Sequence, residues 1–213
     1  MLRSVSSETK VFLGIIVCTF VLIGCALLFF SSQSAKEEQQ FSREELIAPH
    51  NFPAGNASAS AYLVEFSDFE CPACAAYEPA IQQIRKQYKD RLLFVYRHYP
   101  LPQHQFAEKA ALAAQAAGKQ GKFWEMHGEL FANHDKLSDE TLKNIVQKLM
   151  LNEEEFTKAM NDQAVKDSVA KDKSAGNALG VNATPTFFLN GKKLKVNSPK
   201  TLIQEIEKAL NGQ

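Results

Sequence analysis

The longest apolar run in the chain comes early. Residues 11–30, from Val11 through Phe30, carry no charge and have Thr19 as their one clearly polar side chain. Twenty residues wound as a helix reach about 30 Å, the thickness of a bilayer's hydrocarbon core. Arg3 and Lys10 stand before the run, and Lys36-Glu37-Glu38 follow it after a small polar stretch. That bias predicts residues 1–10 in the cytoplasm and the bulk of the chain outside. A signal peptide has a shorter apolar region, about 7 to 15 residues. The reading is therefore a retained single-pass anchor at 11–30, followed by a polar tether at 31–57 that holds Pro49, Pro53, Gly55 and Asn56.

Beyond residue 58 the pattern alternates between strand and helix. Ala61-Tyr62-Leu63-Val64-Glu65-Phe66 is an apolar run of strand length. A helix is expected from Cys71, with Pro72 at its first position, where the missing N–H costs nothing. Cys74, Tyr77, Ile81, Ile84 and Tyr88 follow at steps of three and four, a buried stripe, and Pro79 inside it predicts a kink. Leu92 to Tyr96 is a second buried strand, so the first three elements read as a right-handed βαβ unit with parallel strands. Residues 105–180 are helical in pattern and too long for one crossover, which makes them an inserted helical subdomain. Within them Asn152 and Glu155 have capping-box spacing. Thr186 to Leu189 returns to strand, Asn190-Gly191 signals a hairpin, and the lysine-rich Lys192 to Val196 suits a sheet edge. Ser198-Pro199 starts a last amphipathic helix through Leu202, Ile206 and Leu210. The expected fold class is α/β, a domain at 58–213 of order βαβ, helical insert, ββα, behind one N-terminal transmembrane helix.

Composition changes this picture little. The chain has 213 residues, 45% hydrophobic and 23% charged, with 24 basic residues against 24 acidic. No basic face is implied, so nucleic acid is set aside as a partner. The four cysteines say more. Cys18 and Cys25 lie in the anchor, where a cysteine is usually a small hydrophobe. Leu22-Ile23-Gly24-Cys25 loosely resembles a lipoprotein processing site, but the apolar Ala26–Phe30 stands where a mature lipoprotein has a polar tether. The exported part holds two cysteines, in Cys71-Pro72-Ala73-Cys74.

Cysteines at i and i+3 of a helix start lie about 5 to 6 Å apart, within disulfide reach. Cys71 is expected at the exposed helix end and Cys74 one turn in, facing the core. Free N–H groups and the positive helix end stabilise a thiolate at Cys71, which makes it nucleophile and leaving group near neutral pH. The partner cysteine then resolves a mixed disulfide. Zinc would need four ligands, and neither a second cysteine pair nor suitably spaced histidines accompany this one; the expected metal is none. Haem attachment needs a histidine where Ala75 stands. A purely structural disulfide would close only a four-residue loop and stabilise little.

Phe69-Glu70-Cys71-Pro72-Ala73-Cys74, placed after a strand and opening a helix, resembles the thioredoxin superfamily. The helical insert, Phe123-Trp124-Glu125-Met126-His127 and Ala183-Thr184-Pro185-Thr186 look like its DsbA-like branch of thiol–disulfide oxidoreductases, over roughly residues 58 to 211. The resemblance implies a cis proline at Pro185 facing the cysteines, with the Thr184 backbone pairing with an extended substrate peptide. Pro72 and Ala73, between the cysteines, join that substrate-facing surface. It also implies that Glu65, an acid in an apolar strand, moves protons to and from Cys74; burial would raise its pKa. His98 is expected to pack or hydrogen-bond at a strand end instead. Strongly oxidising relatives carry histidine where Ala73 stands, and Glu70 adds a charge beside Cys71, so an extreme oxidant is not expected.

The function read from these residues is an anchored, extracytoplasmic disulfide oxidase. It would pass the Cys71–Cys74 disulfide to exported cysteine-containing proteins, be reoxidised by a membrane quinone-linked thiol oxidase, and need no organic cofactor. The rivals are a disulfide reductase or isomerase fed by a membrane electron donor, and a peptide-binding chaperone or assembly factor.

Overall fold

The computed structural model describes residues 16–26 and 39–212. The chain divides into two units, residues 1–39 and 40–213. In the first, residues 16–26 form helix α1, whose large apolar side chains (Ile16, Val17, Phe20, Val21, Leu22, Ile23) are exposed. The rest of the expected span, 11–15 and 27–30, lies outside the described residues. Among the described residues no helix is long and apolar enough to cross a membrane.

The second unit is built on a five-stranded sheet of order β1-β3-β2-β4-β5. Its strands are β1 (Ala54–Gly55), β2 (Ala61–Ser67), β3 (Leu92–His98), β4 (Thr186–Leu189) and β5 (Lys192–Lys193). β2 and β3 run parallel, and the other pairs are antiparallel. Every residue of β2 and β3 is buried, as expected for central strands covered on both faces. Alternation along them sorts the core in two. Tyr62, Val64, Phe66, Leu93 and Val95 pack with Phe41, Leu46, Tyr99 and Val181 on one face. Ala61, Leu63, Leu92, Phe94 and Tyr96 face the other way, onto the helices. By the same parity Glu65, Ser67 and His98 belong to the helical face.

Helix α3 (Pro72–Gln87) is the βαβ crossover; it continues through Pro79 and buries Cys74, Glu78, Ala80, Ile81 and Ile84. The insert consists of α4 (Ala107–Lys119), α5 (Phe123–Ala132), α6 (Asp139–Lys148), α7 (Glu153–Asn161) and α8 (Gln163–Ala178). Asn152 caps α7, accepting the Glu155 N–H at 3.0 Å. Ser198 caps α9 (Pro199–Asn211), with proline in its first turn. At the hairpin Asn190 and Gly191 both take positive φ, 50° and 88°, as a two-residue turn of this sequence requires.

Two expectations are corrected. The domain begins at Gln40, so 40–57 are not tether. Ser42 forms a capping box on α2 (Arg43–Leu46), Leu46 is fully buried, and β1 pairs with β3. Phe52 stacks on Phe123 at 4.8 Å, and its ring lies so close to Gly118 that a Cβ there would meet it at 2.3 Å. A four-residue helix and a two-residue strand are too short to show periodicity, so the turn-forming residues are the one pattern visible there. The last strand is also shorter than Lys192–Val196: it pairs through Lys192–Lys193, after which the Leu194 N–H still reaches the Phe187 carbonyl at 2.8 Å.

Candidate active site

Cys71 is the N-cap of α3, in extended conformation, and its side chain makes no capping hydrogen bond. The first-turn N–H groups of Ala73 and Cys74 are therefore free to serve its sulfur. Cys71 is not at an exposed end, as expected, but 6% exposed, and Cys74 is 1% exposed. Pro72 and Ala73 between them face solvent. The Thr184–Pro185 peptide is cis, and the Thr184 carbonyl lies 3.7 Å from Cys71 Sγ. The structure thus brings together the residues at which the resemblance pointed: Cys71, Cys74, Pro72, Ala73, Thr184 and Pro185.

The two thiols differ sharply. Cys71 is lowered to about 5, chiefly because the Cys74 thiol donates to it; burial opposes this, and the Thr184 side chain and the Cys74 and Ala73 N–H groups assist. Cys74 is pushed far up by burial, by donating to Cys71 and by the Glu65 charge. As a thiol Cys71 donates to the Thr184 carbonyl; as a thiolate it cannot, and that carbonyl is left to accept from another strand.

Glu65 is 1% exposed and its Oε2 has no hydrogen-bond partner. Burial, then the charges of Glu78 and Cys71, push its carboxyl up to about 8, with the Ser67 hydroxyl pulling the other way. Glu78, one turn beyond Cys74 on α3, is 6% exposed. Tyr96, beside Glu65 in the β2–β3 register, is fully sequestered with its hydroxyl unpartnered. Sequence reading missed Glu78, although a charged residue between Cys74 and Ile81 on the buried stripe was the signal. It also missed Tyr96 and Ser67, whose strand parity matches that of Glu65.

Asp68 anchors the approach to α3. Its buried carboxylate accepts the N–H groups of Glu70 at 2.8 Å and Leu101 at 2.7 Å, and His104 Nδ1 at 2.8 Å. Glu70 accepts the Phe106 N–H at 2.6 Å, so its carboxylate is engaged toward α4. His98 is buried, held down to about 4 by that burial, and sits 3.1 Å from Gln115 Nε2; it is a neutral packing group. Among the described residues no group of three or more His, Cys, Asp or Glu could hold a metal ion.

A buried thiol pair at a helix start, facing a cis-proline loop on this sheet, defines a thioredoxin-type thiol–disulfide site. Residues 48–208 match a family model described as thioredoxin, and the chain belongs to that family. The fold is that of a thioredoxin-like oxidoreductase from Silicibacter pomeroyi, 25% identical with a TM-score of 0.69, covering 79% of this chain and 97% of that one. Wolbachia pipientis alpha-DsbA1 is also 25% identical, with a TM-score of 0.66, covering 78% of this chain and 94% of its own. BdbD from Bacillus subtilis (oxidised) is 23% identical with a TM-score of 0.66, covering 82% and 97%. In fold and site the chain is similar to these thioredoxin-like and DsbA proteins. Among curated proteins, the Na(+)/H(+) antiporter NhaA 3 of Salinispora tropica is 39% identical over 140 residues, 65% of this chain. The chain spans about a fifth (21%) of the length of that relative.

Proposed function

We propose that the protein is a membrane-anchored, extracytoplasmic disulfide oxidase. The observation that carries the direction of electron flow is the low pKa of Cys71, about 5. A thiolate formed so readily stabilises the dithiol form and makes the disulfide easier to give away. Against a thiol of ordinary pKa near 9, the advantage at pH 7 is about a hundredfold, or about 60 mV.

The reaction begins with a substrate thiolate attacking Cys71 Sγ of the Cys71–Cys74 disulfide. A substrate–Cys71 disulfide forms, the Cys71–Cys74 bond breaks, and Cys74 leaves with the electron pair. Glu65, buried and protonated near neutral pH, gives Cys74 its proton. A second substrate thiolate attacks the substrate sulfur of the mixed disulfide and releases Cys71 as thiolate. The substrate is oxidised and the enzyme holds two electrons. Thr184, through its carbonyl beside Cys71, pairs with the extended substrate; Pro185, Pro72 and Ala73 shape the contact. Exported cysteine-containing proteins are the substrates, and a quinone-linked membrane thiol oxidase removes the electrons. The charge-free run 11–30, with Arg3 and Lys10 before it, supports the anchor.

The reduction potential of Cys71–Cys74, measured on full-length protein in detergent against glutathione, tests this reading. A value above roughly −200 mV supports the oxidase; one at or below about −250 mV makes the protein a reductase.

A further inference from the structure

The turn that delivers Cys71 to α3 carries two acids, Asp68 and Glu70, and both accept main-chain N–H groups of one distant segment. That segment, residues 99–106, joins β3 to α4 and so opens the helical insert. Asp68 is 2% exposed. Its Oδ1 accepts the Glu70 N–H at 2.8 Å, inside the turn. Its Oδ2 accepts the Leu101 N–H at 2.7 Å and meets His104 Nδ1 at 2.8 Å, across to the segment. A carboxylate only accepts, so His104 Nδ1 carries the proton. The Asp68 carbonyl accepts the Cys71 N–H at 3.2 Å, which closes the turn on the cysteine itself. On either side, the Tyr99 N–H reaches the Ser67 carbonyl at 2.8 Å and the Phe106 N–H reaches Glu70 Oε2 at 2.6 Å. Asp68 therefore bonds both within the turn and across it, from a position three residues before the nucleophile. A buried carboxylate held by three donors, with short charge-assisted bonds, has little freedom to move.

We propose that Asp68 is a positioning residue for Cys71: it locks the turn 68–71 to the entry of the insert, and so holds the Cys71 sulfur at the start of α3, 3.7 Å from the Thr184 carbonyl. Asp68 acts through Cys71 and touches no substrate. Hydrogen bonds stabilise a thiolate only while the sulfur stays within their reach, and they weaken steeply with distance and angle. A turn free to shift would spread the sulfur over several positions and weaken those bonds. Order set at folding need not be found again at each exchange step. The inference goes beyond the direction of electron flow and rests only on Cys71 as the reactive sulfur. A purely electrostatic Asp68 predicts the opposite sign, because removing a negative charge near Cys71 would favour its thiolate. The insert therefore does more than cover the sheet: its first residues hold the redox turn in place.

The test is the titration of the Cys71 thiolate by its ultraviolet absorbance in reduced full-length protein, the signal assigned with Cys71→Ser, beside the equilibrium constant against glutathione. Asp68→Ala should raise the midpoint by about a unit and make the disulfide about tenfold harder to reduce, roughly 30 mV lower in potential. Asp68→Asn keeps one acceptor oxygen and should recover part of the shift. A second pair of variants differs in no charge. His104→Ala should raise the midpoint, and His104→Gln, which offers an amide N–H to the same carboxylate, should lie between it and wild type. Leu46→Ala, which removes buried apolar contacts on the other face of the sheet, should leave the midpoint where it is. A lowered midpoint in Asp68→Ala makes Asp68 a charge, and an unchanged one makes it a fold element only; either overturns the proposal. So does a shift in Leu46→Ala as large as that in Asp68→Ala. If Asp68→Ala does not fold, equal midpoints in His104→Ala and His104→Gln overturn it by themselves. The direction of electron flow is judged separately, by the potential of the wild-type protein, so either reading can fail alone.

Discussion

Glu65 is the residue whose chemistry and cost are most closely tied. Its carboxyl titrates at about 8 in the folded protein against an ordinary 4.5. A raised carboxyl pKa means that folding favours the protonated form. Its contribution is intact below the unfolded value, and stability is lost as pH rises through the folded one. Glu65→Gln should therefore be neutral near pH 4 and stabilising by on the order of 3 kcal/mol at pH 7, while slowing disulfide transfer. Urea unfolding of the oxidised protein at the two pH values measures the first, and stopped-flow the second. Equal gains at both pH values would mean that Glu65 is not titrating in between. The strand position of this acid was legible in the sequence, and so was the reason to suspect it. Its neighbours were not: Tyr96 lies beside it through the β2–β3 register, and Glu78 comes from α3, which packs over the sheet.

At the scale of elements, the segment before β2 is where folding departs from composition. Pro49, Pro53, Gly55 and Asn56 look like linker, yet Pro49 lies in a turn after α2, Gly55 belongs to β1, and Pro53 and Asn56 flank that strand. Leu46 is 0% exposed, and the carbonyls of Glu45 and Leu46 accept from Arg97 Nη1 at 3.0 and 3.2 Å. Arg97 is held in turn by Asp172 of α8, Nε to Oδ1 at 2.8 Å. His50 and Asn51 donate to the same carboxylate. Truncating a fully buried leucine costs about 2 to 5 kcal/mol. Leu46→Ala should lose stability in that range by chemical denaturation, whereas a tether residue would show no change. The long helices behaved differently: their stripes and caps were readable because amphipathic periodicity over ten or more residues is a local signal.

For the whole molecule, redox state and pH are linked through Cys71. Its pKa in the reduced fold is about 5, below the ordinary 9. The stability this contributes is present in full above the unfolded value and is lost as pH falls through 5. The oxidised protein has no such thiol, and Glu65 is common to both forms. The stability of reduced relative to oxidised protein should fall by about 2–3 kcal/mol between pH 7 and pH 4.5, measured by parallel denaturation with and without dithiothreitol. A gap that does not move with pH would contradict a stabilised Cys71 thiolate. Removing residues 1–35 should release the protein from membranes while the Cys71–Cys74 potential stays unchanged, as checked by carbonate extraction and glutathione equilibration.

The Cys71-Pro72-Ala73-Cys74 spacing, the strand before it and the helix after it pointed locally to thiol–disulfide chemistry, because three residues along a helix start place two sulfurs within bonding reach. The apolar run around Glu65 likewise marked it as an acid within a strand, while the face it takes came only with the packed sheet. Only tertiary structure decided the rest. It brought the cis Thr184–Pro185 loop onto Cys71 from 113 residues away, buried the thiol that its helix end would have left open, and seated His127 of the insert beside Glu78. Such pairings join positions far apart in the chain. They are set by how the sheet and its covering helices pack, which no local pattern of apolar and polar residues encodes.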